Sequence, residues 1–179
     1  RKPEVDWLAH IDVDEFLVPR ETDAAIADHL ATLPASCMAA RIRPVEALAR
    51  DDNAATHFKA CSPKRADRIA QTKTIYPEFG AHLSGGFLSH VAGKLMFRTG
   101  LDGLDVRIHN VFLNEESNPG QQELSAIELA HCHAKSWQDW LAHYRFRLAR
   151  GSYRAELKPA LAAEKGGLTM HELFNMIET

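Results

Sequence analysis

The densest cluster of reactive side chains in the sequence is Asp12, Asp14 and Glu15, which follow the apolar run Val5 to Ile11 without a break. Carboxylates packed this closely repel one another, and a bound divalent cation removes that penalty. Hard oxygen donors suit magnesium, manganese or calcium better than soft metals, and such ions commonly bridge to substrate phosphates. The apolar run is too short for a stable helix and reads as a buried strand. In open sheets, ligand crevices lie just beyond the carboxyl ends of such strands. The competing reading of an Asp-x-Asp tripeptide by itself is a polar strand end whose acids are solvated or cap a turn.

Other side chains could join this chemistry. Ten histidines are present, and His131-x-His133 together with His109 could supply nitrogen ligands if their strands adjoin. Lys94, directly after Gly93 in a strand-like run, could reach a phosphate or a substrate hydroxyl as a point charge, or could be a surface lysine with its stem laid on apolar neighbours. Arg145, Arg147 and Arg150, with Lys135 before them and Arg154 after, could meet a diphosphate or an anionic acceptor; a solvated helix face is the simpler reading. A general base for an acceptor hydroxyl could come from Glu78, Glu115, Glu116, Glu123 or Glu128, among which sequence does not choose. Trp137 and Trp140 could stack on a sugar ring, although their helical spacing favours core packing.

The elements that must position these groups follow from patterning. A helix is expected from Thr22 to Leu33, with Thr22 as N-cap, apolar Ala25, Ile26 and Leu30 at helical spacing, and Pro34 after its end. Met38 to Val45 alternates as a strand does, and residues 50 to 62 read as a loop. Ile69 to Tyr76, Gly93 to Arg98 and Val106 to Leu113 are strand candidates. Pro77 to Gly86 is rich in breakers, and Asn114 to Gln122 reads as a turn or lid. Trp137, Trp140, Leu141, Tyr144 and Leu148 form one apolar helical stripe, capped by Ser136 and stopped by Gly151. A last helix is expected from Thr169, whose spacing to Glu172 fits a capping box.

Length and composition bound the possibilities. A chain of 179 residues with 45 % hydrophobic and 25 % charged residues fits one ordinary globular domain, 1–179, and disfavours disorder, collagen and coiled coil. A net charge of -3 gives no electrostatic reason to expect nucleic acid as a partner. The three cysteines, Cys37, Cys61 and Cys132, lack Cys-x-x-Cys spacing, so neither a disulfide framework nor a cysteine-built zinc site is expected, and a cytoplasmic setting fits. No apolar run approaches the roughly 18 residues that span a bilayer. The chain begins almost directly with a strand and without Met, so it is expected to be a piece of a longer protein.

The stretch from Trp7 to Pro19 resembles the Asp-x-Asp segment of family 2-like glycosyltransferases with the GT-A fold, where the phrase reads closely as His-Ile-Asp-Val-Asp-Glu-Phe-Leu. The resemblance continues in order at Gly93-Lys94, at Val106-Arg107-Ile108-His109, and at His131 to Ser136 followed by a helix ending in Arg150-Gly151, covering most of the chain. Where the family often has an aromatic residue after its C-terminal histidine, this chain has Cys132. The resemblance implies an α/β fold: a GT-A-like mixed sheet flanked by helices, without the N-terminal nucleotide-binding strands, followed by C-terminal helices. It further implies that Asp12 and Asp14 are catalytic and hold Mn2+ or Mg2+ with His131, and Lys94 and His109 are the candidates for cofactor binding. The expected partners are a nucleotide-diphosphate sugar donor and a carbohydrate or other hydroxyl acceptor, and a second copy of the chain could cover an exposed sheet edge. Two alternatives stand beside this reading. One is a phosphohydrolase of the haloacid dehalogenase type with Asp12 as nucleophile, although Phe16 stands where such enzymes usually carry threonine or valine. The other is a non-catalytic carbohydrate- or partner-binding module.

Overall fold

The computed structural model describes residues 5–21, 23–49, 56–62, 64–150 and 159–178. In chain order the elements are β1 (Trp7–Ala9), β2 (Glu15–Pro19), α1 (Ile26–Ala31), β3 (Ala39–Ala47), β4 (Phe58–Ala60), α2 (Arg65–Ile75), β5 (Lys94–Arg98), β6 (Leu104–Val106), β7 (Val111–Leu113), β8 (Glu116–Ser117), β9 (Gln122–His131), α3 (Trp137–Ala149) and α4 (Met170–Glu178). The architecture is mixed α/β. The chain divides into two compact units, one formed by Arg1–Val45 and Ala92–Cys132, the other by Glu46–Val91 and His133–Thr179.

The first unit is built on five strands in the order β1-β5-β3-β9-β2. Strand alternation sorts its side chains onto two faces. Ala40 and Ile42 of β3, Met96 of β5 and Leu129 of β9 point to one face, where Leu30 of α1 covers them. Ala39, Leu95 and Phe97 point to the other, against Val111 of β7 and Leu104 of β6. The unit is thus three layers: a short helix, the main sheet, and a small sheet of order β6-β7-β8. Arg41 lies on the β7 side, buried, and its guanidinium donates to Ala92 O (2.8 Å), His109 O (3.2 Å), Asn110 Oδ1 (3.2 Å) and Gln121 Oε1 (3.1 Å). These bonds fasten the β6–β7 turn to β3. Burial, and the nearby Arg43 charge, lower the Arg41 pKa, and Glu123 partly offsets them.

In the second unit the Leu48 N–H donates to His57 O (2.8 Å) as the chain returns through β4. Its core is aromatic: Trp140 stacks on Tyr144 (ring centroids 5.1 Å apart), and Tyr144 stacks on Phe174 of α4 (4.2 Å). Both helix starts behave as the sequence predicts. Ser136 Oγ accepts from the Asp139 N–H (3.1 Å). Thr169 and Glu172 exchange bonds, the Thr169 N–H donating to Glu172 Oε2 (2.8 Å) and the Glu172 N–H to Thr169 Oγ1 (3.2 Å). These bonds hold the Glu172 carboxyl below its ordinary value.

Four expectations are corrected. Residues 69 to 76 are not a strand but the greater part of α2, running from Arg65. The β-branched Ile69, Thr72, Thr74 and Ile75 suggest a strand, yet alternation would need one buried face, and only Thr72 in this helix is buried. The helix stops at Tyr76 because the following Pro77 disfavours helical backbone there. Val106 to Leu113 is not one strand: β6 and β7 pair antiparallel across a turn, Val106 opposite Val111. Helix α1 starts at Ile26, later than expected, with the Ala25 N–H capped by Asp28 Oδ2 (3.1 Å). The expected loop from 50 to 62 is interrupted by strand β4 at residues 58 to 60, while its residues 50 to 55, the expected cap Thr22, the stop Gly151 and Arg154 lie outside the described residues. No disulfide joins Cys37, Cys61 and Cys132. Among the described residues, no helix is long and apolar enough to cross a membrane.

Candidate functional site

In the first unit β1 and β2 occupy opposite edges of the five-strand sheet, so the loop from His10 to Asp14 crosses the end of that sheet from one edge to the other. The loop turns tightly. The Glu15 N–H donates to Asp12 O (3.1 Å), and the Asp12 N–H donates back to Glu15 Oε2 (2.7 Å). Val13 at the tip is fully exposed, which leaves Asp12 and Asp14 on either side of it.

Strand register then brings distant residues beneath the loop. Ala9 of β1 pairs with Met96 of β5, two positions past Lys94, and Lys94 itself pairs with Ile42 of β3. Glu15 pairs with His131 of β9, and the ladder continues as the Cys132 N–H donates to Asp14 O (2.8 Å). Lys94 and Met96 share one face of β5, and His131 and Leu129 share one face of β9, so both polar side chains extend the apolar face beneath α1. The core thus ends at this rim in charged groups.

The charges are paired. Lys94 is 0 % exposed, and its Nζ lies 3.0 Å from Asp12 Oδ2 and 3.5 Å from Glu15 Oε2. The Glu15 side chain is equally buried, so this half of the cluster is an internal ion pair, whereas the Asp12 side chain is 50 % exposed and faces solvent. His131 is buried, with Nε2 3.3 Å from Asp14 Oδ2. A His131 ring nitrogen also lies within 4.8 Å of a Glu15 carboxylate oxygen. His109 directs Nδ1 at Gly93 O (2.9 Å).

Gly93 explains why Gly and Lys stand side by side. Its φ is +71°, and an added Cβ would lie 2.0 Å from Ile42 O. Only glycine lets β5 enter this closely against β3, and the next residue is thereby aimed along the rim.

The structure therefore gathers Asp12 with Lys94, and Asp14 with His131, on one rim of one unit. It revises the role of Lys94, which is neither a surface lysine nor a side chain free to reach a phosphate from solvent; its ammonium is taken up by Asp12 and Glu15. Glu15 is the residue that sequence reading undervalued. It counts in sequence as one more carboxylate, but the structure makes it the buried partner that holds Lys94 and closes the turn. Two of the base candidates are also committed elsewhere: Glu123 is held by Arg43 (2.9 and 2.5 Å) and Glu128 by Arg20 (2.9 Å).

Lys94 offsets only part of the carboxylate charge at this rim. Asp12, Asp14 and Glu15 contribute -3 and Lys94 +1, which leaves -2 from these four side chains. An Asp14 carboxylate oxygen and a His131 ring nitrogen lie close enough together to share one ion, whereas Asp12 belongs to no such group among the described residues. Comparison with protein-family models, curated proteins and solved structures gives no match to this chain.

Proposed function

We propose that this chain is the metal- and acceptor-side half of a glycosyltransferase with a GT-A-like sheet, and that it uses Mn2+ or Mg2+ to hold the diphosphate of a nucleotide-sugar donor at the Asp12–Asp14 loop. The observation that carries the reading is the convergence of Asp14 and His131, 117 positions apart (131 minus 14), to 3.3 Å at the rim where Asp12 faces solvent. The sequence resemblance supports it, in that its Asp12-to-Asp14, Gly93-Lys94 and His131 positions lie together in this unit.

Each side chain has a physical task in this reading. Asp12 and Asp14 offer hard oxygen atoms from both sides of the turn. His131 orients Asp14 and adds a nitrogen donor. Lys94 aligns Asp12 and lowers the local negative charge, so that a diphosphate can approach without facing three uncompensated carboxylates. The metal, when bound, supplies electrostatic stabilisation of the departing diphosphate. His109 and the acceptor hydroxyl complete the expected contacts.

Calorimetric titration with Mn2+, alone and with a panel of nucleoside diphosphates, tests this reading. The expected result is mutual strengthening of metal and nucleotide binding, lost in Asp14→Asn. Independent binding, or no binding, contradicts it. A phosphoaspartyl adduct on Asp12 after exposure to a generic phosphate ester would instead establish the phosphohydrolase reading. One observation favours the non-catalytic alternative: the Lys94–Glu15 pair compensates charge without any ligand. In that case the titration shows no metal response at all.

A further inference from the structure

The second unit carries a pocket that the acidic rim does not use. It measures about 170 Å³ and is lined by Leu48, Leu88, Trp137 and Trp140, with Glu46 and Lys59 supplying charge. A cavity of about 150 Å³ accommodates one benzene ring, so this pocket has room for a single six-membered ring. We infer that it binds the pyranose ring of a neutral saccharide, with Trp137 as the stacking platform.

Three observations select that ligand. Trp137 lies flat against Trp140, with ring centroids 5.0 Å apart and planes 14° apart, yet it remains 42 % exposed. Trp140 belongs to the aromatic core, so Trp137 is a broad, rigid ring backed by that core and open to solvent over much of its surface. Such a ring suits a ligand with one apolar C–H face.

The polar part of the wall is equally fixed. Glu46 accepts from the Leu88 N–H (3.0 Å) and Lys59 (3.1 Å) through Oε1, and from the Ser89 N–H (2.8 Å) and hydroxyl (2.5 Å) through Oε2. Burial by itself would raise the Glu46 pKa; Lys59 and these hydrogen bonds outweigh it, and the carboxyl sits below its ordinary value. Glu46, 3 % exposed, has both oxygens taken by these bonds and its charge answered by Lys59, which gives no reason to select a charged ligand; Lys59, 23 % exposed and also donating to Gly86 O (2.6 Å), is the polar group of the wall that a ligand hydroxyl can approach. A pyranose has both an apolar face for the tryptophan and hydroxyls for the polar wall.

The inference stands on residues of the second unit and does not depend on the acidic rim. Saturation-transfer NMR on the whole chain, with methyl glycosides of glucose, galactose and N-acetylglucosamine as probes and indole as control, tests it. The expected result is saturation of ring C–H protons of at least one glycoside in the absence of metal, with about tenfold weaker binding in Trp137→Ala and near-normal binding in Trp137→Phe. Trp137 is exposed, so both variants keep the core, which circular dichroism checks. Transfer to indole with none to any glycoside overturns the inference, as does glycoside binding unchanged in Trp137→Ala. Glycoside binding without metal–nucleotide coupling leaves this inference standing and removes the transferase reading; the opposite pattern does the reverse.

Discussion

Replacing Lys94 by methionine removes the one positive charge placed between Asp12 and Glu15 while keeping most of the buried volume. Its Nζ lies 3.5 Å from Glu15 Oε2, with both side chains fully buried. Coulomb's law at an effective dielectric of about 20 gives 332/(20 × 3.5), or about 4.7 kcal/mol. The Asp12 contact is shorter at 3.0 Å, but the Asp12 side chain is half exposed, so solvent screening holds its share to about 1 kcal/mol or less. Measured costs of leaving one member of a buried pair behind, about 3–5 kcal/mol, lie at or somewhat below this sum and set the expected range. Lys94→Met is therefore expected to lose about 3–5 kcal/mol in urea unfolding followed by far-UV circular dichroism. The double variant Glu15→Gln/Lys94→Met is expected to recover at least half of that, since no unpaired charge remains. A single-variant loss below about 1 kcal/mol, or a double variant no better than the single, would refute the claim that Lys94 is an internal counter-ion.

Further outcomes follow from other parts of the fold. Glu46 has a carboxyl pKa depressed below 4.5 in the folded chain, so its contribution is fully present above that value and is lost as pH falls through the folded pKa. Acid titration of stability should show a falling limb below about pH 4.5 that is flattened in Glu46→Gln, a variant also weaker by about 1.5–3 kcal/mol at neutral pH. Gly93→Ala should destabilise by more than about 1 kcal/mol, because its Cβ would meet Ile42 O at 2.0 Å and its φ is positive; thermal melts comparing it with Gly166→Ala, where φ is +79° and an added Cβ would meet nothing within 4 Å, separate backbone clash from the cost of φ alone. Thr169→Ala should cost about 1 kcal/mol by removing the reciprocal cap of α4, read as earlier amide exchange at Glu172 and Leu173.

The parts of the structure that sequence makes legible are those where neighbours along the chain settle the outcome. Ser136 and Thr169 announce helix starts because a capping oxygen and its target amide are three positions apart. The stripe from Trp137 to Leu148 becomes the helix face that buries Trp140, Leu141 and Tyr144, although Trp137 at its end stays exposed. Asp12, Asp14 and His131 were nameable as residue types, and the structure brings Asp14 and His131 together. What was not legible is which charge answers which. Lys94 reaches Asp12 across 82 positions only because β5 is registered against β1 and β3, and that register depends on the tight approach at Gly93 rather than on any local pattern near Asp12. The same limit explains α2. Its β-branched residues fit a strand locally, and only the absence of a partner strand among the described residues, with most side chains left in solvent, shows that a helix is the cheaper way to satisfy its backbone.

The claim on which the functional account rests is that Asp14 and His131 share a divalent cation with Asp12. Electron paramagnetic resonance of Mn2+ titrated into the chain measures this directly by counting bound ions. The account predicts one bound Mn2+, whose affinity rises when a nucleoside diphosphate is added and falls by about ten- to a hundredfold in both Asp14→Asn and His131→Ala. Mn2+ bound with the same affinity in wild type and in both variants, or no bound Mn2+ in the presence of nucleotide, would contradict it.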